Sequence, residues 1–358
     1  MALSPNYSWA EPDNSSLVKN GAQDIRALGD AIDTSVWNVG FGQAGKNKVI
    51  NGDFSIWQRG TSFAYTGSGS TIFTADRCSI FANGNGTFTF SRQAFTAGAA
   101  PVAGYEGQYF YRSATNTLGT STAIYHLQNK IENVQTFAGQ TVTMSFWAKS
   151  DAARTLNVAL TQVFGSGGSS PVALTSTVSV TTSWARYTYT VALGSMTGKT
   201  IGAGSYLDVR IDGVPSASQT VDIWGLQLEY GSKATPFQLA GGGDPQSELA
   251  MCQRYLPVMP VWTEAFGYCY AINSYIVGFK FPVTARVRPT GISVNDISNS
   301  TMYNQLNSGT TPAAITLNTG GTGIESGSIL VSATGTAATV GRLGFGASAS
   351  IFFTGCEL

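Results

Sequence analysis

The sequence predicts a mainly β protein in three parts: an N-terminal helix, a central β-sandwich or jelly roll, and a smaller C-terminal β-sandwich. Three observations predict it. Charged residues are only 11% of the chain, against roughly a quarter in typical soluble domains. Gly (42 residues), Ser, Thr and aromatics take their place, a composition suited to short strands and tight turns. Finally, apolar and polar residues alternate in run after run from residue 47 onward, with Gly/Ser/Asn turns between the runs.

The first part is residues 1–46. Asp13, Asn14 and Ser15 are candidate N-caps, and a helix is expected from about Ser16 to Asn38. Val18, Ile25, Ile32 and Val39 recur every seven residues, and Leu28 takes the matching d position. β-branched residues at this spacing favour association of parallel helices, so the stripe is expected to self-associate or to dock. Gly40, Gly42 and Gly45 then end the helix and form a hinge.

The second part is residues 47–240. Thr87 to Ser91, Thr141 to Ala148, Leu156 to Leu160 and Arg186 to Val191 all alternate. Tyr206 to Asp212 is the cleanest run, with Leu207, Val209 and Ile211 on one face and Asp208, Arg210 and Asp212 on the other. No fixed period of about 20 to 30 residues recurs, which counts against a β-helix. The third part, residues 241–358, opens on the linker Gly241-Gly242-Gly243-Asp244-Pro245. A short helix is expected from Gln246 to Tyr255, stopped by Pro257 and Pro260. Strands are expected at Gly267 to Ile276, Val277 to Val283, Ile329 to Ala333 and Ser348 to Phe353, and loops from Asn295 to Thr319.

Charge narrows the partners. Twenty basic and twenty acidic side chains balance, so neither the basic excess of a nucleic-acid binder nor a polybasic membrane segment is present. No run of about 18 apolar residues predicts a membrane helix. Met1 to Ala10 lacks the basic and apolar regions of a secretory leader. Cys78, Cys252, Cys269 and Cys356 form no CxxC pair and are expected as buried thiols.

Several strings resemble a family. Asn47 to Gly60 (NKVINGDFSIWQRG) resembles the opening of a domain found in many phage tail-fibre and minor tail proteins. Thr74-Ala75-Asp76-Arg77 follows, with Cys78 where that pattern usually has Trp. Ile131 to Val134, Phe137 to Lys149, Trp184 to Tyr187, Leu226 to Gly231 and Ala234 to Phe237 complete the match over about residues 47–238. Glu248 to Tyr255 is similar to a junction that precedes the distal domain of such proteins. The resembled domain is similar to carbohydrate-binding modules with a jelly-roll fold. The resemblance implies a virion location, homotrimers, attachment to other tail or virion proteins through the N-terminus, and recognition of a host cell-surface glycan. It also implies a structural calcium, for which Asp53 and Glu229 would be the acidic ligands. A purely structural head-fibre or tail decoration and a capsule-degrading tailspike are the rival readings.

Sugars stack their C–H faces on aromatic rings while Asn, Asp, Gln and Arg hold the hydroxyls. Trp147 and Trp184 lie in the framework strings and are assigned to packing. Tyr125, His126, Asp208 and Arg210 are the groove candidates of the central domain. Trp262, Tyr268, Tyr270, Tyr275 and Tyr303, with Asn304 and Asn307 nearby, are those of the distal domain. His126 is the only histidine and lies inside a strand-like run, so it reads as structural or groove-lining rather than catalytic. Asp208 and Asp212, four residues apart on one strand face, would stand about 13 Å apart, too far for a glycosidase acid pair. No catalytic residue is assigned.

Overall fold

The computed structural model describes residues 2–3, 9–11, 17, 20–39, 45–102, 105–213, 218–260, 262–304, 306–335 and 339–358, with side chains for all but 2–3 and 33–39. Two short strands, β1 (Ala2–Leu3) and β2 (Ala10–Glu11), pair antiparallel ahead of α1 (Gly21–Val39). Of the expected helix, Gly21–Val39 is described; the candidate caps Asp13, Asn14 and Ser15, with Ser16, Val18, Gly40 and Gly42, lie outside the described residues. Val39 is its last residue, and its side chain is not described. Ile25 and Ile32 point to solvent, and Leu28 is half-buried.

The central domain contains β3 (Ser62–Thr66), β4 (Thr71–Phe73), β5 (Cys78–Ala82), β6 (Thr87–Ala94), β7 (Tyr109–Thr117) and β8 (Ile124–Glu132). β9 (Thr141–Ser150), β10 (Arg154–Val163), β11 (Val172–Val180), β12 (Ala185–Ala192), β13 (Tyr206–Gly213) and β14 (Gln219–Tyr230) follow. They form two antiparallel six-stranded sheets, ordered β12-β9-β14-β7-β6-β3 and β11-β10-β13-β8-β5-β4. The chain crosses repeatedly between them, as in a jelly roll. The alternating runs explain the layers: Val142, Met144 and Phe146 of β9 meet Val158 and Leu160 of β10 and Val209 and Ile211 of β13 in one core.

Trp147 and Trp224 face the opposite way, into a second cluster with Phe110, Phe237 and Leu239, against which Trp184 packs. The assignment of Trp147 and Trp184 to packing agrees with this. Here Gly225 has φ +65°, and a Cβ on it would lie 2.8 Å from the Trp147 ring. Only glycine meets both conditions.

The C-terminal domain begins with α2 (Pro245–Gln253), whose N-cap Asp244 accepts from the Ser247 N–H at 2.9 Å. Its strands are β15 (Val258–Met259), β16 (Glu264–Ala271), β17 (Ser274–Lys280), β18 (Gly291–Val294) and β19 (Ser300–Tyr303). β20 (Gly309–Thr310), β21 (Ala314–Leu317), β22 (Ser326–Ser332), β23 (Thr339–Phe345) and β24 (Ile351–Thr354) complete it. A seven-stranded sheet, β20-β19-β23-β16-β17-β22-β21, and a three-stranded sheet, β15-β24-β18, enclose a core built around Tyr275, Leu343, Ile351 and Phe353.

Two expectations are corrected here. Gly267 to Ile276 is not one strand: Asn273 adopts φ +61° and turns β16 into β17, a conformation Asn tolerates better than most residues. The segment from Asn295 to Thr319 is not all loop, since it supplies β19, β20 and β21.

A polar junction fixes the two sandwiches together. The buried Glu248 carboxylate of α2 accepts the Asn51 N–H at 2.5 Å and the Gly241 N–H at 2.6 Å. Arg254 and the Tyr255 hydroxyl both reach Glu132, at 3.2 and 2.9 Å. The Arg77 guanidinium stacks 3.5 Å over the Tyr255 ring, and Arg59 pairs with Glu357 at 2.5 Å. All four cysteines are free and buried.

Candidate functional site

The described surface offers a candidate ligand site on the C-terminal domain. Trp262, just before β16, has φ +58° and donates its N–H to Phe345 O at 3.1 Å, while Phe345 N–H donates to Thr263 O. Pinned this way, the chain turns the indole outward, and Trp262 remains 75% exposed. It borders a groove of about 340 Å³ together with Glu264, Asn299, Thr301, Tyr303, Gly344 and Gly346, within the roughly 300–1,000 Å³ of small-ligand sites.

The groove's polar end is preorganised. Arg342 of β23 pairs with Glu264 at 3.0 Å, donates to Asn307 Oδ1 at 3.3 Å and stacks 4.5 Å from the Tyr303 ring centre. The register brings them together: Tyr303 faces Arg342 across β19–β23, and Glu264 faces Gly344 across β16–β23. Gly346 has no side chain to collide with Asn299. The result is an apolar platform with an acceptor on Glu264, whose carboxylate is held from beside the groove by Arg342. That is the equipment for a hydroxylated ring with one apolar face.

Of the sequence candidates, Trp262 and Tyr303 meet in this groove, and Asn307 supports it through Arg342. Asn304 is spent capping its own turn, accepting from the Leu306 and Ser308 N–H groups. Tyr268 and Tyr270 lie on the outer face of the seven-stranded sheet, 50% and 48% exposed. Glu264, Asn299, Gly344 and Arg342 were not legible as site residues, because nothing in their local spacing distinguishes them. The one available signal was an acid two residues after a tryptophan.

The central candidates divide. His126 is fully buried: Ser113 Oγ is 2.7 Å from its Nδ1, and Gln219 Nε2 is 3.1 Å from its Nε2. Burial pushes its pKa down to about 4, with Arg154 acting in the same direction. As a glycan contact it is therefore corrected to a structural residue. Both His126 and Leu127 turn inward because the β8–β13 register slips opposite Ile211 and Asp212. Asp208, expected on a solvated face, is only 3% exposed. It accepts from Gln128 Nε2 at 2.9 Å and lies 3.5 Å from Arg210. Arg210 also pairs with Asp212 at 2.8 Å and stacks 4.2 Å over Tyr125. Tyr125 and Arg210 thus share one polar cluster on the outer sheet face, with their groups already engaged.

The calcium pair is engaged as well. Glu229 is fully buried, accepts from Gln227, from the Thr235 N–H and from the Thr235 hydroxyl, and has the Lys46 ammonium 3.3 Å away. A metal at Glu229 would have to displace Lys46. Asp53 accepts from Ser55, and burial raises its pKa. No group of three His, Cys, Asp or Glu side chains placed to hold a metal occurs among the described residues. Asp53 and Glu248 line a cleft of about 240 Å³ with Tyr105 and Glu106. Glu248 spends both oxygens on backbone N–H groups there, and so serves as a latch between domains. No helix among the described residues is long and apolar enough to cross a membrane.

Fold and site together define a mainly β protein of two sandwiches with an aromatic surface groove on the distal one. No known protein-family profile matches the chain, and no curated protein matches it. Among solved structures it is similar to a family 4 carbohydrate-binding module, at 17% identity over 51% of this chain and 99% of that one, with a TM-score of 0.29. It is similar to tailspike protein 4 of bacteriophage CBA120, at 13% identity over 52% of this chain and 22% of that one, with a TM-score of 0.31. A Stig cyclase from Fischerella sp. TAU is similar at 10% identity over 54% of this chain and 100% of that one, with a TM-score of 0.33. The matched region spans about a fifth of that tailspike chain, which is described as the enzymatically active domain.

Proposed function

We propose that this chain is a non-enzymatic receptor-binding subunit of a phage tail fibre, and that it grips a neutral cell-surface glycan in the Trp262 groove. One observation carries the binding reading: an indole held outward at φ +58° and 75% exposed, beside a fixed Glu264–Arg342 pair. An exposed indole with no structural duty is well suited to stacking on a sugar ring. The acid in the groove and the base beside it cancel, which favours an uncharged sugar over a uronate or sialate. The tail-fibre reading rests on the motif strings from Asn47 to Phe237. It brings with it a homotrimer, attachment to other virion proteins through the N-terminal helix, and a place in the virion.

The non-enzymatic part rests on the acids. Glu248 is committed to two backbone donors, and Asp208 and Asp212 are committed to Arg210. The test is a glycan array probed with the full chain, followed by calorimetric titration of any hit. Binding that Trp262→Ala abolishes supports the reading. No binding to any host glycan would leave a purely structural decoration, and release of reducing sugar from host polysaccharide would make the protein a depolymerase.

A further inference from the structure

The seven-stranded sheet of the C-terminal domain carries large apolar side chains on both faces. Its inner face packs Ala265, Cys269, Tyr275, Val277, Ile329 and Leu343 into the domain core. An antiparallel sheet with one buried face normally turns polar residues outward. The outward residues of β11 in the central domain follow that rule: Ala173, Thr175, Thr177 and Ser179. β16 breaks it. Its outward residues after Glu264 are Phe266, Tyr268 and Tyr270, which are 68%, 50% and 48% exposed.

The register extends this into a band. Val340 faces Tyr268 across β23–β16, Ile276 faces Tyr268 across β16–β17, Leu330 faces Ile276, and Thr316 faces Leu330. One row thus crosses five strands with a single polar member. Val340 is 58% exposed and Ile276 36%, and Ile272 at the hairpin tip is 72% exposed. With aromatics burying about 150–250 Å² each, these side chains offer on the order of 500 Å² of apolar surface. A stable protein interface takes about 800 Å² per partner, so the band supplies most of one side.

We infer that the outer face of this sheet is covered by a second copy of the chain. Three features select that occupant. Branched aliphatics fill half the band, and they offer no ring face to a sugar. Charge on this face is sparse: Arg342, opposite Phe266, is neutralised by Glu264, and Lys280 stands at the end of β17. The exposed apolar area also approaches that of a standard protein interface and lies at the upper end of what a soluble monomer leaves bare. The inference rests on the homo-oligomer of the proposed function and not on the glycan reading, since Trp262 and its groove lie at the border of the band. In an assembly the neighbouring copy would wall the groove on its Phe266 side.

The test uses the intact chain at micromolar concentration. Light scattering should give a multiple of the 37.6 kDa chain mass. Tetranitromethane should nitrate Tyr230, 67% exposed on the central domain, and spare Tyr268 and Tyr270. The substitution Val340→Lys should make Tyr268 and Tyr270 at least ten times more reactive, with unchanged circular dichroism because the side chain lies outside the core of each copy. Tyr268 and Tyr270 as reactive as Tyr230 in the unmodified protein would overturn the inference, whatever the N-terminal helix does to the mass. So would a monomer in which both tyrosines are protected. Loss of glycan binding by Trp262→Ala would bear on the groove alone.

Discussion

At the scale of single residues, burial decides which polar side chains can act on a ligand. His126 and Trp262 were both sequence candidates, yet one is sealed in the core and the other stands in solvent. Replacing Trp262 with alanine should weaken glycan binding at least tenfold in a calorimetric titration, while leaving the melting temperature unchanged. His126 makes a pH prediction. Its folded pKa lies near 4, below its unfolded value of about 6.5, so the folded state resists protonation. Stability is complete above pH 6.5 and falls as pH drops toward 4, by about 3 kcal/mol at the limit. Asp212 works in the opposite direction: burial raises its pKa to about 6, so its contribution improves as pH falls from 6 toward 3.8. Melting curves of His126→Gln and Asp212→Asn between pH 4 and 7 should separate the two, the first flattening the acid loss and the second deepening it. For the calcium ligands, the Lys46–Glu229 ion pair makes an unchanged melting temperature on chelation the expected result. A drop would show that a metal is held.

At the scale of strands and helices, the alternation of side chains was the readable signal, and it worked wherever one face was buried. Tyr206 to Asp212 reads as β13 with Leu207, Val209 and Ile211 inward, as the structure has it. The same rule is silent about a residue that breaks the period. The hairpin at Asn273 and the slip beside His126 each need one extra residue on one strand, and only the partner strand shows which residue that is. Phe146 of β9 sits where the two central sheets meet and is fully buried. Phe146→Ala should cost about 3–5 kcal/mol in a denaturant titration, without altering a glycan site located in the other domain.

At the scale of the whole molecule, the two sandwiches are joined by buried polar contacts. Glu248 takes two backbone N–H groups from opposite sides of the junction, and Glu132 takes Arg254 and Tyr255. Removing the Glu248 carboxylate leaves two buried donors without acceptors, at about 1–3 kcal/mol each. Scanning calorimetry of Glu248→Ala should split one cooperative unfolding transition into two, the lower belonging to the smaller C-terminal sandwich. A single unshifted transition would show that the domains unfold together for another reason.

The sequence by itself determined the mainly β class, the helix at the start, the β-sandwich sheets, and the burial of the cysteines and of Trp147. These follow from local periodicity and composition, which every neighbouring residue reports redundantly. Only the tertiary structure decided which aromatics remain in water, that Lys46 stands beside Glu229, and that Glu264 and Tyr303 share a groove beside Arg342. Those residues come from three strands far apart in sequence. Their meeting depends on strand order and register, which are set by packing across the whole domain and leave no trace in any one segment.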